Sequence, residues 1–359
     1  MKDIHGGNIW EASRITGLLP EEVLDFSSSI NPLGLPHGAA AAIKKTLKLL
    51  PAYPDPSYRA LKRALAAHHG ISPSNILPGN GSTELIYLVP AVFRPKKALI
   101  VEPAFSEYRR ALRLHGCAVK THILRERDGF AMNAGRLIDC IRKGGHDIVF
   151  LANPSNPAGS LAKKEAVLEV ARASQRLGAI LVVDEAFIDF TEEESIKAEA
   201  SNRLGNTVAL RSMTKFFALS GLRLGFMAAS RDIIEGFSKA MPPWTINTLA
   251  AEGAMEALKD AAYMERSRRW LCRERAFLGD GLGRVEGLSL FPSSANFILV
   301  KITAQDKSAA KLCSRLLKRG ILIRPLDGFK GLGPEYFRVA IKRRKENSIL
   351  LSALKEALK

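Results

Sequence analysis

The chain has 359 residues, 47% of them hydrophobic, and 53 Lys and Arg against 36 Asp and Glu give a formal net charge of +17. That length suffices for a large core, organised as two lobes around one site. Cys117, Cys140, Cys272 and Cys313 are scattered, with neither metal-ligand spacing nor a disulfide framework, so no metal is expected.

Met1-Lys2-Asp3 opens the chain without the features of a signal peptide, which predicts a cytoplasmic protein. His5-Gly6-Gly7-Asn8 follows. Its two glycines let the backbone approach a ligand closely, and an imidazole and an amide can bond a phosphate or carboxylate. The plainer reading is a loose N-terminal tail. Asp25-Phe26-Ser27-Ser28-Ser29-Ile30-Asn31-Pro32-Leu33-Gly34 comes next. Residues 1–40 read as an N-terminal segment joining the smaller lobe, 41–240 as the large domain, and 241–359 as a small α+β domain. A helical link reaches about residue 70.

Strand-like segments alternating with helices run from about 76 to 230: 98–101, 119–124, 148–151, 180–183, 208–211 and 225–229. This alternation predicts an α/β fold with a mostly parallel sheet covered on both faces. Pro78-Gly79-Asn80-Gly81-Ser82-Thr83-Glu84 reads as a glycine turn feeding the apolar helix 85–93. Such a helix start offers free N–H groups and a favourable dipole to a phosphate. That helix is too short to span a bilayer. After the strand 148–151, the two X-Pro steps of Asn153-Pro154-Ser155-Asn156-Pro157 predict an extended loop that positions two amides. The apolar run 180–183 ends in Asp184, at the carboxyl end of a strand, where open α/β sheets bind ligands. Helix capping is the plain alternative for that aspartate.

Arg211-Ser212-Met213-Thr214-Lys215 and Ser220-Gly221-Leu222-Arg223 are the most informative stretch. A lysine that has lost its proton can join an aldehyde covalently, and a nearby hydroxyl and guanidinium suit a phosphate. An aldehyde carrying a phosphate describes pyridoxal 5′-phosphate (PLP). Asp184 would then face the pyridine nitrogen and keep it protonated. Otherwise Lys215 and Arg223 are surface charges bounding a loop. Met241-Pro242-Pro243-Trp244 breaks the alternation, and a long helical stretch through 252–278 leads into the smaller lobe. There Arg324 and Arg338 each stand in an apolar, strand-like run, costly unless they meet an anion or an internal partner. Basic residues elsewhere are dispersed, as in Lys342-Arg343-Arg344-Lys345, and lack interleaved aromatics. A solvated face is expected rather than nucleic-acid binding.

On these motifs the chain resembles fold-type I PLP enzymes of the aspartate-aminotransferase superfamily, in the branch with histidinol-phosphate aminotransferase. The resemblance implies Lys215 as the covalent anchor, Asp184 on the pyridinium nitrogen and Asn156 on the phenolic oxygen. It places Gly81, Ser82, Thr83, Ser212 and Arg223 around the phosphate and Phe105 on the ring face. Tyr53 would reach the cofactor of a neighbouring subunit, implying a homodimer. Many aminotransferases carry a tyrosine three residues after the aspartate; Phe187 here has no hydroxyl.

The opening around His5-Gly6-Gly7-Asn8 is similar to that of the threonine-phosphate decarboxylases. That implies decarboxylation of L-threonine O-3-phosphate to (R)-1-amino-2-propanol O-2-phosphate for cobalamin. The alternative is an aminotransferase acting on histidinol phosphate or a related amino acid, and a third is a PLP-fold binding module. Either enzyme takes a small phosphorylated amino acid or amine. By resemblance, Arg338 takes its carboxylate and Arg324 its phosphate. His5, Gly7, Asn31, Asn156 and Asn296 are the remaining substrate candidates, with Lys330 as a further cation.

Overall fold

The computed structural model describes residues 6–304 and 308–358. Its strands are β1 (Leu24–Asp25), β2 (Ile76–Asn80), β3 (Lys97–Glu102), β4 (Ala118–Ile123), β5 (Ile148–Ala152), β6 (Ile180–Asp184) and β7 (Thr207–Ser212). Then come β8 (Leu224–Ala229), β9 (Leu288–Leu290), β10 (Phe297–Ile302), β11 (Ile321–Leu322), β12 (Arg324–Pro325) and β13 (Tyr336–Ala340). Seven of them form one sheet in the order β2-β8-β7-β6-β5-β3-β4. Only β8 runs against the others, so the expected mostly parallel sheet is present.

Chemistry explains this layout. Leu181, Val182 and Val183 have no exposed surface, as a strand covered on both faces requires. Each such side chain contributes about 1.5–3 kcal/mol by leaving water. The helices are amphipathic: Lys164–Arg176, for example, buries Val167, Val170 and Ala171 against the sheet. The strand β2 departs from the sequence reading, which saw only a turn at Pro78-Gly79. It lies at the sheet edge and pairs only with β8, the position where a proline lacking an N–H is tolerated. The long helix expected through 252–278 is two helices, Thr248–Ala257 and Ala261–Gly283. Asp260 breaks them by capping the second, its side chain accepting from the Tyr263 N–H.

A second sheet, β12-β13-β10-β9, lies in the C-terminal region. The strand β1 pairs in parallel with β11, and the Ala340 N–H donates to the Phe26 carbonyl. These links bring the stretch Ser27-Ser28-Ser29 beside the C-terminal sheet. Behind the carboxyl ends of β6 and β7 lies a buried ion cluster. Arg211 bonds Asp189 at 2.7 Å and Glu192 at 2.6 Å and lies 3.4 Å from Glu185. Removing one partner of such a cluster typically costs about 3–5 kcal/mol. The cluster therefore pins the two strand ends that carry Asp184 and Ser212. Among the described residues, no helix is long and apolar enough to cross a membrane.

Candidate active site

Strands β5, β6 and β7 end in Ala152, Asp184 and Ser212, and their carboxyl ends form the floor of a cavity of about 360 Å³. That volume suits a small molecule. Lys215 stands on the single helical turn Met213–Phe216, directly after β7. Its amine is pushed down to about 8, first by burial, then by the Arg338 and Arg223 guanidiniums, with Asp184 pulling the other way. A free amine near neutral pH is what attack on an aldehyde demands.

Asp184 is buried and accepts two bonds. The Ala186 N–H donates to Oδ1 at 3.0 Å and the Tyr108 hydroxyl to Oδ2 at 2.5 Å. Burial raises its proton affinity, while those two donors and Lys215 lower it.

Ser82, Thr83, Ser212 and Arg223 line the same cavity. Ser82 and Thr83 open the helix Gly81–Phe93, whose N-cap Asn80 gives no side-chain bond, so its first N–H groups are left for a ligand. Gly81 lies at φ +71°, and a Cβ there would sit 2.7 Å from Arg223 Nη2. A glycine is therefore what lets the guanidinium close over the helix start.

Arg324 and Arg338 are direct cross-strand partners in β12 and β13, and both reach this cavity. Burial first, then the Arg324 charge, pushes Arg338 down to about 9, with Asp25 opposing. Arg338 Nη1 donates to Asn156 Oδ1 and Nη2 to the Ser27 carbonyl at 3.0 Å. Its guanidinium also covers the Phe297 ring at 4.7 Å, and Phe187 packs edge-on against that ring at 5.0 Å. A buried guanidinium and a half-buried one facing each other repel, and an anionic ligand between them would relieve that repulsion.

A family model described as aminotransferase class I and II matches residues 21–354. The chain belongs to this aminotransferase family. Within the family it is 38% identical to Threonine-phosphate decarboxylase of Salmonella typhimurium, over 99% of this chain and 96% of that one. The structure of histidinol-phosphate aminotransferase from Clostridium acetobutylicum matches with a TM-score of 0.86 at 33% identity, covering 93% of this chain and 98% of that one. That of L-threonine-O-3-phosphate decarboxylase from Porphyromonas gingivalis gives 0.82 at 27%, covering 94% and 99%.

The aminotransferase fold brings Lys215, Asp184, Asn156, Phe105, Ser82, Thr83, Ser212, Arg223, Arg324 and Arg338 to one cavity. PLP is the cofactor of this family, and the residues fit it: a buried carboxylate, an amine that gives up its proton more readily than an ordinary lysine and a helix start that Gly81 keeps open to Arg223.

Three expected substrate contacts fall elsewhere. Asn31 is not on the cavity wall; its amide donates to the Phe216 carbonyl at 2.9 Å and to Ser267 Oγ at 2.8 Å. Its own N–H donates to the Lys215 carbonyl at 3.0 Å, so it braces the lysine's backbone. Asn296 is fully buried and donates to the Ser29 carbonyl at 2.9 Å. Gly7 gives its N–H to Ser27 Oγ and lines a neighbouring cavity that shares Gly6, Ser27, Arg324 and Phe329 with the first. Tyr53 is 81% exposed and packs against Trp244, at 5.0 Å, away from this chain's cavity. His5 lies outside the described residues. Sequence reasoning missed Tyr108 and Ser27-Ser28-Ser29. The only signal for Tyr108 was its spacing of three from Phe105, which puts both at the start of one helix.

The lysine supplies a pH prediction. Apoprotein should capture PLP at a rate that rises with pH and levels off above about 8. Below that, each pH unit should slow capture roughly tenfold, because only the free amine attacks. Borohydride trapping of the captured cofactor at timed intervals measures it.

Proposed function

We propose that this chain decarboxylates L-threonine O-3-phosphate, with PLP as cofactor, giving (R)-1-amino-2-propanol O-2-phosphate for cobalamin synthesis. The observation that carries it is the facing pair Arg324 and Arg338, set in the same cavity as Lys215 and Asp184. A substrate with two anionic ends needs two such cations. The identity to Salmonella typhimurium Threonine-phosphate decarboxylase along 99% of the chain supports the same reading.

In this reading Ser82, Thr83, Ser212 and Arg223 hold the cofactor phosphate, Asp184 its ring nitrogen, Asn156 its phenolic oxygen and Phe105 its ring face. When bound, PLP withdraws electrons from whichever Cα bond of the substrate stands perpendicular to its ring. This chain's arginines decide which bond that is. With Arg338 on the carboxylate and Arg324 on the phosphate, the substrate would be held by both ends, an orientation that would favour breaking the Cα–carboxylate bond. Carbon dioxide leaves, and the bond's electron pair stays with the substrate. Lys215, in the same cavity, would deliver one proton to Cα. The balance is one proton consumed, one CO2 and one amine released. Phe187 donates nothing, so Asn156 alone contacts the phenolic oxygen from this side.

The protein is also proposed to act in the cytoplasm as a homodimer. Tyr53 and Trp244 form an outward-facing aromatic pair, with Tyr53 offered to the partner's cofactor phosphate.

Incubation with L-threonine O-3-phosphate should release CO2 and aminopropanol phosphate in equal amounts. Glutamate formation from histidinol phosphate and 2-oxoglutarate, with no CO2, would establish the aminotransferase alternative instead.

A further inference from the structure

Tyr108 belongs to the helix Ser106–Leu114 and is 1% exposed. Its ring is stacked on Phe150, with centroids 5.1 Å apart and planes at 26°, and Phe105 stands edge-on at 5.8 Å. Aromatic contacts thus hold the phenol from two sides. Its one polar atom needs a partner in this dry setting, and it donates to Asp184 Oδ2. A phenylalanine would make the same ring contacts, so the hydroxyl is an addition that packing does not require.

The carboxylate gains from it in two ways. Its two oxygens each take one donor, Ala186 N–H and Tyr108 O–H, from different elements, which fixes the carboxylate plane. Each oxygen still has a free lone pair, so a ring nitrogen can be accepted as well. Burial of Asp184 works toward the neutral acid, and a donor aimed at the anion works against that. A neutral Asp184 could not pair with a protonated pyridine. Phe105 and Tyr108 also sit at the start of the same helix. One rigid support therefore sets the contact with the ring face and the partner of the ring-nitrogen contact.

We propose that Tyr108 is a positioning residue for the cofactor: its hydroxyl orients the Asp184 carboxylate and keeps it anionic against the ring nitrogen. This rests on the PLP reading of the site. It extends that reading to a residue that touches neither the reacting atoms nor the phosphate.

The test uses apoprotein and 4′-deoxypyridoxine 5′-phosphate, an analogue without the aldehyde, so Lys215 chemistry plays no part. Binding is measured by calorimetry between pH 6 and 8.5 for wild type, Tyr108→Phe, Asp184→Asn and the double variant. Tyr108→Phe should bind about tenfold more weakly, the size of a lost hydrogen bond to a charged group. The loss should grow as pH falls, because Asp184 without its donor takes up a proton at higher pH. On the Asp184→Asn background the same change should cost less than about twofold, because the acceptor it serves is already altered.

Unchanged affinity of Tyr108→Phe across the pH range would overturn the inference alone. So would an equal loss on the Asp184→Asn background, since it would place the effect in packing. Absence of binding by wild type would overturn the PLP reading, and this inference with it.

Discussion

Lys215→Ala should lower the rate of CO2 release from L-threonine O-3-phosphate by at least about 10³-fold, since the proposed covalent anchor and proton donor to Cα would both be lost. The variant should be more stable than wild type as apoprotein at pH 7. Lys215 is depressed to about 8 in the folded chain from an ordinary 10.5, so folding disfavours its charged form. The unfolded chain binds the extra proton between those values. Wild-type stability therefore rises with pH from about 8 to 10.5 and carries the full penalty below 8. Its size is on the order of 3 kcal/mol at most, reduced by water in the cavity. Alanine removes that penalty. Denaturant unfolding of both apoproteins at pH 7 and pH 10 measures it, and the gap between them should narrow at the higher pH. A variant that still turned over at the wild-type rate would leave Lys215 without its proposed role.

Arg338→Gln should reduce kcat/KM for L-threonine O-3-phosphate by about 10²- to 10³-fold, the usual consequence of stripping a buried anion of its cation. Lysine at this position should recover little. An ammonium's three donors diverge from one nitrogen, so it cannot hold Asn156 and the Ser27 carbonyl in the places that Nη1 and Nη2 reach while also facing the substrate. The aminopropanol phosphate product sharpens the result, because it keeps the phosphate and has lost the carboxylate. If Arg338 grips the carboxylate, its inhibition constant should barely change in Arg338→Gln. In Arg324→Gln it should rise with KM, because the phosphate grip is gone. The opposite pattern would exchange the two arginines' roles.

What could be read in advance follows a physical rule. Lys215, Asp184 and Gly81 were legible because their environments are local: each lies at the end of a strand or the start of a helix that the apolar pattern delimits. The pairing of Arg324 with Arg338 was legible only as two costly charges in apolar runs. That they face each other depends on the β12–β13 register. Tyr108 and Asp184 are 76 positions apart, and Asn31 and Phe216 are 185 apart. No periodicity within a segment carries such contacts. Asn31 was expected on the substrate by resemblance alone, as part of the stretch from Asp25 to Gly34. The fold spent its amide on the backbone after the lysine instead. Pro78 concealed an edge strand, since its missing N–H reads as a break until the neighbour on that side is known to be absent.

Asp184 and Glu185 are consecutive, yet Asp184 faces the ligand cavity while Glu185 accepts from Ser195 and lies beside Arg211 behind the sheet. Two acids of nearly equal chemistry are thus told apart by nothing but the alternation of side chains at a strand end. A displacement of this segment by one position would put Glu185 in the place of Asp184 and set Ala186 beside Arg211, while the opposite displacement would put Val183 on the cavity. Insertion or deletion of a single residue between 180 and 184 should therefore silence the enzyme even where the chain still folds.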